Sequence, residues 1–284
     1  MKKTLFLVLL TVMIAGLRIN AKAQVLEAPP RDGIYDRTAT MQMAPIPYVP
    51  LREADVIWSR RIWRTIDLRE KMNQPFYYPT QPQGQWKSFV QILLDAFQEG
   101  TITAYSATSD QFLVPITFTE LMSKLQSAQK VTLKRPDNPD EEFDTIITKS
   151  FYASDVKKLR IKEDWVFDKQ RSVQEVRILG ICPVKDNYDE NGNYRGPEPL
   201  FWVYFPECRP LFAKMEQFNL YNGSAARLSY DDIFMKRMFQ SYIYKEENVY
   251  DRQIADYALG VDALMEAERA KTTLFQFEHS LWEY

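Results

Sequence analysis

Ile161 to Cys182 reads IKEDWVFDKQRSVQEVRILGIC, and the reading of this stretch decides the fold. Its second half alternates. Val176, Ile178 and Cys182 share one parity, while Glu175 and Arg177 share the other. A period of two predicts a half-buried strand. The first half is a charged run around Trp165 and Phe167. The natural partner of the strand is Leu200 to Glu207, LFWVYFPE, which is aromatic. Between the two lies KDNYDENGNYRGPEP, polar and rich in turn formers, with Asn191-Gly192 near its middle. This pattern predicts a hairpin with a long tip. Two strands cannot bury their apolar face alone, so helices from both flanks must cover them. The expected fold class is α+β: a central antiparallel hairpin or small sheet covered by flanking helices, with an extended Pro-rich N-terminal arm.

Toward the N-terminus, Arg52 to Lys71 reads as a helix. Trp58, Ile62 and Ile66 fall on one helical face, and the opposite face carries charges of both signs. Arg60, Arg61 and Arg64 on that face are candidate interface residues; the competing reading is a solvated face with local ion pairs. Trp86 to Glu99 is a second helix, with Gly100 as its C-terminal stop. Thr101 to Tyr105 reads as a short strand. Thr117 and Glu120 have the spacing of a capping box before Leu121, Met122 and Leu125. Val131–Leu133 and Phe143–Ile147 flank RPDNPDEE as a small hairpin. Toward the C-terminus, Ser229–Asp232 has the residue types of a helix start. Ile233, Phe234, Met238 and Tyr242 follow at helical spacing. Asp251 to Lys271 is expected to be a helix with Ile254, Tyr257, Ala258, Val261, Leu264 and Met265 inward, despite Gly260. Leu274 to Trp282 is expected to be a short final helix.

Met1 to Ala23 has the form of a cleaved secretory signal: Lys2 and Lys3, an apolar run from Leu5 to Leu17, and Ala21-Lys22-Ala23 at the cleavage position. Its removal takes away four basic residues and moves the formal charge from −2 to −6. Residues 24–50 form the arm, with five prolines and an apolar run that includes Tyr35 and Tyr48, both candidate interface residues. Residues 51–284 are then a single α+β domain, with room for helical subdomains on either side of 161–208. The two cysteines, Cys182 and Cys208, are either a disulfide, which export would permit, or two buried thiols.

Charge balance gives no reason to expect nucleic-acid binding. His279 is the only histidine and sits near the end of the chain, a poor place for a general base. No phosphate-binding loop, dinucleotide fingerprint or metal-ligand spacing occurs, so no cofactor is expected. Glu163, Asp164 and Asp168 surround Trp165. They leave open a carbohydrate-binding protein or a peptidoglycan hydrolase, which would need those carboxylates exposed in a groove. The interleaved Lys162, Lys169 and Arg171 argue instead for local ion pairs. A chaperone-like adaptor with an apolar groove is a third reading.

Several segments together resemble the GldN/PorN family of the Bacteroidetes type IX secretion and gliding machinery. They are RRIWRTIDLREKMNQPFYYP from Arg60, IKEDWVFDKQRSVQEVRILGICP from Ile161, LFWVYFPECR from Leu200, YDDIFMKRMFQSYIYKEENVYDRQI from Tyr230 and LFQFEHSLWEY from Leu274. The resemblance implies a periplasmic, non-catalytic structural subunit that self-associates in a ring with the GldK/PorK lipoprotein. It implies cooperation with the GldL–GldM (PorL–PorM) motor module, and contact with the outer membrane only through the lipoprotein. It carries over no catalytic residue.

Overall fold

The computed structural model describes residues 40–84, 86–125, 127–134, 142–149, 151–188, 193–218 and 227–281. The first long element is β1, Val56–Asp67, where a helix was expected. The correction has a simple origin. Trp58, Ile62 and Ile66 are four residues apart, a spacing that keeps one face in a strand as well as in a helix. Five of the residues from Val56 to Ile66 are β-branched and two are Trp, which suits a pleated surface better than a helix.

The opening stretch of sequence is itself a hairpin. β5, Val156–Asp168, and β6, Val173–Tyr188, pair antiparallel around a turn in which Ser172 has φ +50°. The charged run around Trp165 is thus a strand. β6 also pairs with β7, Tyr194–Pro199, and with β8, Phe201–Tyr204. The partner predicted at Leu200–Glu207 is therefore half strand and half helix, and Asn191-Gly192 lies outside the described residues. With β2, Ala104–Ser106, and β9, Tyr242–Glu246, these make a seven-stranded sheet in the order β2-β8-β6-β5-β1-β9, β7 pairing on β6. A separate hairpin joins β3, Ser127–Lys134, to β4, Glu142–Lys149, with Leu133 opposite Phe143, as the flanks of RPDNPDEE predicted.

One irregularity governs the two faces of the sheet. Lys162 pairs with Gly180 and Glu163 with Ile178, so Leu179 is an extra residue in β6. A bulge of this kind flips the parity of every residue beyond it. Ile178 and Ile181 therefore share one core, while Cys182 turns to the other face with Trp63, Val184 and Trp202. The face predicted to be common to Val176, Ile178 and Cys182 is broken at this point. Cys208 lies in the first core, on a helix, so the sheet separates the two sulfurs; both are buried free thiols, not a disulfide.

The first face is covered by α1, Phe89–Gln98; α2, Phe118–Leu125; α3, Phe205–Lys214; and α4, Tyr230–Met235. Their aromatic rings interlock: Phe89 lies 5.3 Å from Phe234 edge-on, and Phe205 5.4 Å from Phe234. Such pairs add to simple area burial. The expected caps are present. Thr117 N–H donates to Glu120 at 3.0 Å, Glu120 N–H to the Thr117 hydroxyl at 3.3 Å, and Ser229 caps α4 with Asp232. Gly100 follows α1 at φ +73°. The sheet and its helical cover bear out the α+β expectation.

α5, Val261–Ser280, covers the β9 end of the same face. It replaces both C-terminal helices expected from sequence. Gly260 is its N-cap at φ +59°, not an interior residue. Starting the helix there sets its phase, so Ala267, Ala270 and Leu274 face inward and Phe277 stacks on Trp58 at 4.2 Å. Val261, Leu264 and Met265, predicted to be buried, are exposed. Among the described residues no helix is long and apolar enough to cross a membrane.

Candidate functional site

Strand alternation sorts the carboxylates singled out around Trp165. Glu163 and Trp165 point to the first face, Asp164 to the second, and Asp168 ends the strand. No two of them converge. Asp164 receives both Nε (2.6 Å) and Nη2 (2.9 Å) of Arg61. Asp168 accepts Arg171 Nε at 2.6 Å, and that bond holds its carboxyl below the usual carboxylate range. The exposed acid pair that a hydrolase would need is absent from this part of the sheet.

Glu163 is fully buried and carries four hydrogen bonds. Arg237 approaches through Nη1 (3.0 Å) and Nη2 (3.2 Å), Arg64 through Nε (3.2 Å), and Trp165 through Nε1 (3.2 Å). Both guanidiniums also lie over the Trp165 ring, at 5.6 and 5.5 Å. Two cations on one buried carboxylate leave an excess of positive charge. Burial draws Arg64 below its ordinary guanidinium range; Glu163 opposes that fall and Arg237 adds to it.

Above this network runs an open groove of about 450 Å³ between α5 and the segment joining α4 to β9. Arg64, Trp165, Arg237, Phe239, Lys271 and Phe275 line it. Sequence reasoning found Trp165 and Arg64 but missed Arg237, Phe239, Lys271 and Phe275. The helical spacing of Met238 and Tyr242 predicts that the helix continues through them. The helix instead ends at Met235, and Arg237, just past the C-cap Lys236, has φ +53°. Arg237 N–H bonds Phe234 O (3.2 Å) and Met238 N–H bonds Ile233 O (2.9 Å), the double closure of a helix end that ordinarily uses glycine.

The other sequence candidates scatter. Arg60 pairs with Glu246 (2.8 Å), Arg61 with Asp164 on the far face, and Arg64 enters the groove. A strand cannot present these three as one surface, and the arginine side of a helix proposed from sequence does not exist. Tyr48 is half-buried on its own domain. Its ring lies 4.5 Å from the Arg209 guanidinium and 5.2 Å from that of Arg177, which also donates to Val49 O at 2.6 Å. Arg209 in turn makes a buried two-bond pair with Asp231, at 2.9 and 3.1 Å. Tyr35 lies outside the described residues. Among the described residues no three His, Cys, Asp or Glu side chains gather where a metal ion could sit.

The family model described as gliding motility associated protein GldN matches residues 51–283, nearly the whole of the described domain. No curated protein matches the chain.

Proposed function

The chain belongs to the GldN family of gliding-motility-associated proteins, and from that premise we propose that it is a non-catalytic structural subunit of the type IX secretion and gliding apparatus. It works in the periplasm by contact with other proteins. It associates with further copies of itself and with the GldK/PorK lipoprotein, which tethers it to the outer membrane, and the assembly meets the GldL–GldM (PorL–PorM) motor module. The observation that carries this reading is the family match across residues 51–283. The geometry around Trp165 supports it, because Glu163, Asp164 and Asp168 are each held by arginines and do not converge on one site. Exposed apolar side chains at Leu259, Val261, Leu264 and Met265 offer contact area of the kind that partner surfaces cover.

The test is the mass of the tagged protein purified from solubilised envelope. A large complex containing a lipoprotein is expected. A solitary polypeptide in native envelopes would overturn the proposal, as would turnover of a cell-wall substrate by the purified protein.

A further inference from the structure

The groove above Glu163 holds hydrogen-bond donors that the described residues leave unused. Arg64 spends one nitrogen, Nε, on Glu163; its Nη atoms bond nothing among the described residues, although the side chain is only 8% exposed. A buried guanidinium with open donors is a ready partner for a planar anion. Arg237 stands beside it at a backbone position where glycine is the ordinary choice. A strained residue whose side chain reaches the groove marks the guanidinium as the reason for the strain.

The lining describes the ligand. Arg64, Arg237 and Lys271 are cationic; Glu278 in the lining and Glu163 beneath it are anionic. Lys271 is already paired with Glu268 at 3.2 Å, so the uneven charge is local: Arg64 and Arg237 share the single carboxylate of Glu163. One further carboxylate balances that pair, whereas a doubly charged phosphate would overshoot it and meet Glu278. Phe239, Leu274 and the largely exposed Phe275 give the groove an apolar side. The site is open along its length, as a segment of chain requires, not closed as a small-molecule pocket would be.

The geometry points to this groove as a receptor for an acidic peptide segment of a partner protein, its carboxylate on the Nη atoms of Arg64 beside Arg237 and its neighbouring apolar side chain on Phe275. The inference rests on the reading of this chain as a subunit that works by contact, and adds the place and the chemistry of one contact.

The experiment selects phage-displayed random dodecapeptides on the purified full chain, then measures one selected synthetic peptide by fluorescence anisotropy. Selected sequences should carry Asp or Glu next to an aromatic or aliphatic residue. The peptide's Glu→Gln or Asp→Asn counterpart should bind at least about ten-fold more weakly. Lys271→Glu and Phe275→Ala alter exposed side chains, and Arg237→Gly keeps a backbone that glycine favours. Each should weaken binding by about five-fold or more while circular dichroism stays that of the parent. Peptides without a carboxylate, or affinity indifferent to all three variants, would overturn the inference. So would displacement of the peptide by millimolar inorganic phosphate or by vesicles of phosphatidylcholine with phosphatidylglycerol, which would assign the groove to a phosphate or a lipid headgroup. The purified chain alone answers this question, whereas the envelope complex judges the structural-subunit reading. The two can therefore fail separately.

Discussion

Replacing Glu163 by glutamine perturbs the groove's foundation with almost no change of volume. Glu163 is fully buried and holds Arg64, whose side chain is 8% exposed, and Arg237, whose side chain is 32% exposed. Removing one member of a buried ion pair costs about 3–5 kcal/mol, because the remaining charge stays desolvated and unpaired. Arg237 can turn toward water, so the penalty falls mainly on Arg64 and the lower figure applies, about 3 kcal/mol. For a domain of this size that corresponds to a fall in Tm of about 6–12 °C. Urea unfolding followed by far-ultraviolet circular dichroism should show a lower midpoint with an unchanged slope. Adding Arg64→Met to Glu163→Gln removes the stranded charge and should restore at least half of the loss, a coupling read from the double-mutant cycle. A single variant within about 1 kcal/mol of the parent would refute the reasoning, since a surface pair is worth no more than that. A double variant as weak as the sum of the singles would refute it as well.

Tyr48→Ala should release the arm from Arg177 and Arg209 at a cost of about 1–2 kcal/mol, and speed limited proteolysis near Pro50 by about ten-fold; an unchanged cleavage rate would count against the contact. Gly180→Ala puts a methyl group 2.5 Å from Cζ of Phe112 and 3.2 Å from Val203 O. It should therefore cost about 1–3 kcal/mol in the same urea assay, and parent-like stability would show that the ring moves freely. Burial pushes the thiols of Cys182 and Cys208 up to about 12. Neither should react with a disulfide reagent at about pH 8 until guanidinium unfolds the chain, when two equivalents should appear; rapid labelling of the native protein is the contrary result. Hydrogen bonds from Arg69 and Arg171 hold Asp67 and Asp168 below the usual carboxylate range. The unfolded chain then takes up protons first as acid is added. Stability should be level near neutrality and fall from about pH 4 downward, through the lowered values of the folded state; thermal melts at stepped pH would expose a flat acid limb if this is wrong.

Composition and local pattern revealed the class of the fold, the caps at Thr117 and Ser229, and the hairpin flanking RPDNPDEE. Two ambiguities hid the rest. Residues at i, i+4 and i+8, such as Trp58, Ile62 and Ile66, share a face in both regular structures, so their spacing alone could not separate β1 from a helix. A bulge adds one residue without any mark in composition, and Leu179 reverses every facing after it. The groove was half legible. Trp165 with its carboxylates drew notice, but the cations that hold Glu163 come from residues 64 and 237, brought together by pairing at long range. Arg237 itself gave no local sign, because its left-handed backbone is a helix-end geometry normally announced by glycine.

The lengths of the strands carry one more implication. The longest, β5 and β6, lie inside the sheet, while its outermost members, β2 and β9, have three and five residues. β7, on the flank of β6, contains Pro197 and Pro199, which lack an amide proton to donate. The two end strands of this sheet therefore offer only short edges for a foreign strand to zip onto. Strand addition at either end of the seven-stranded sheet is thereby discouraged, and a contact made there has to rely on side chains.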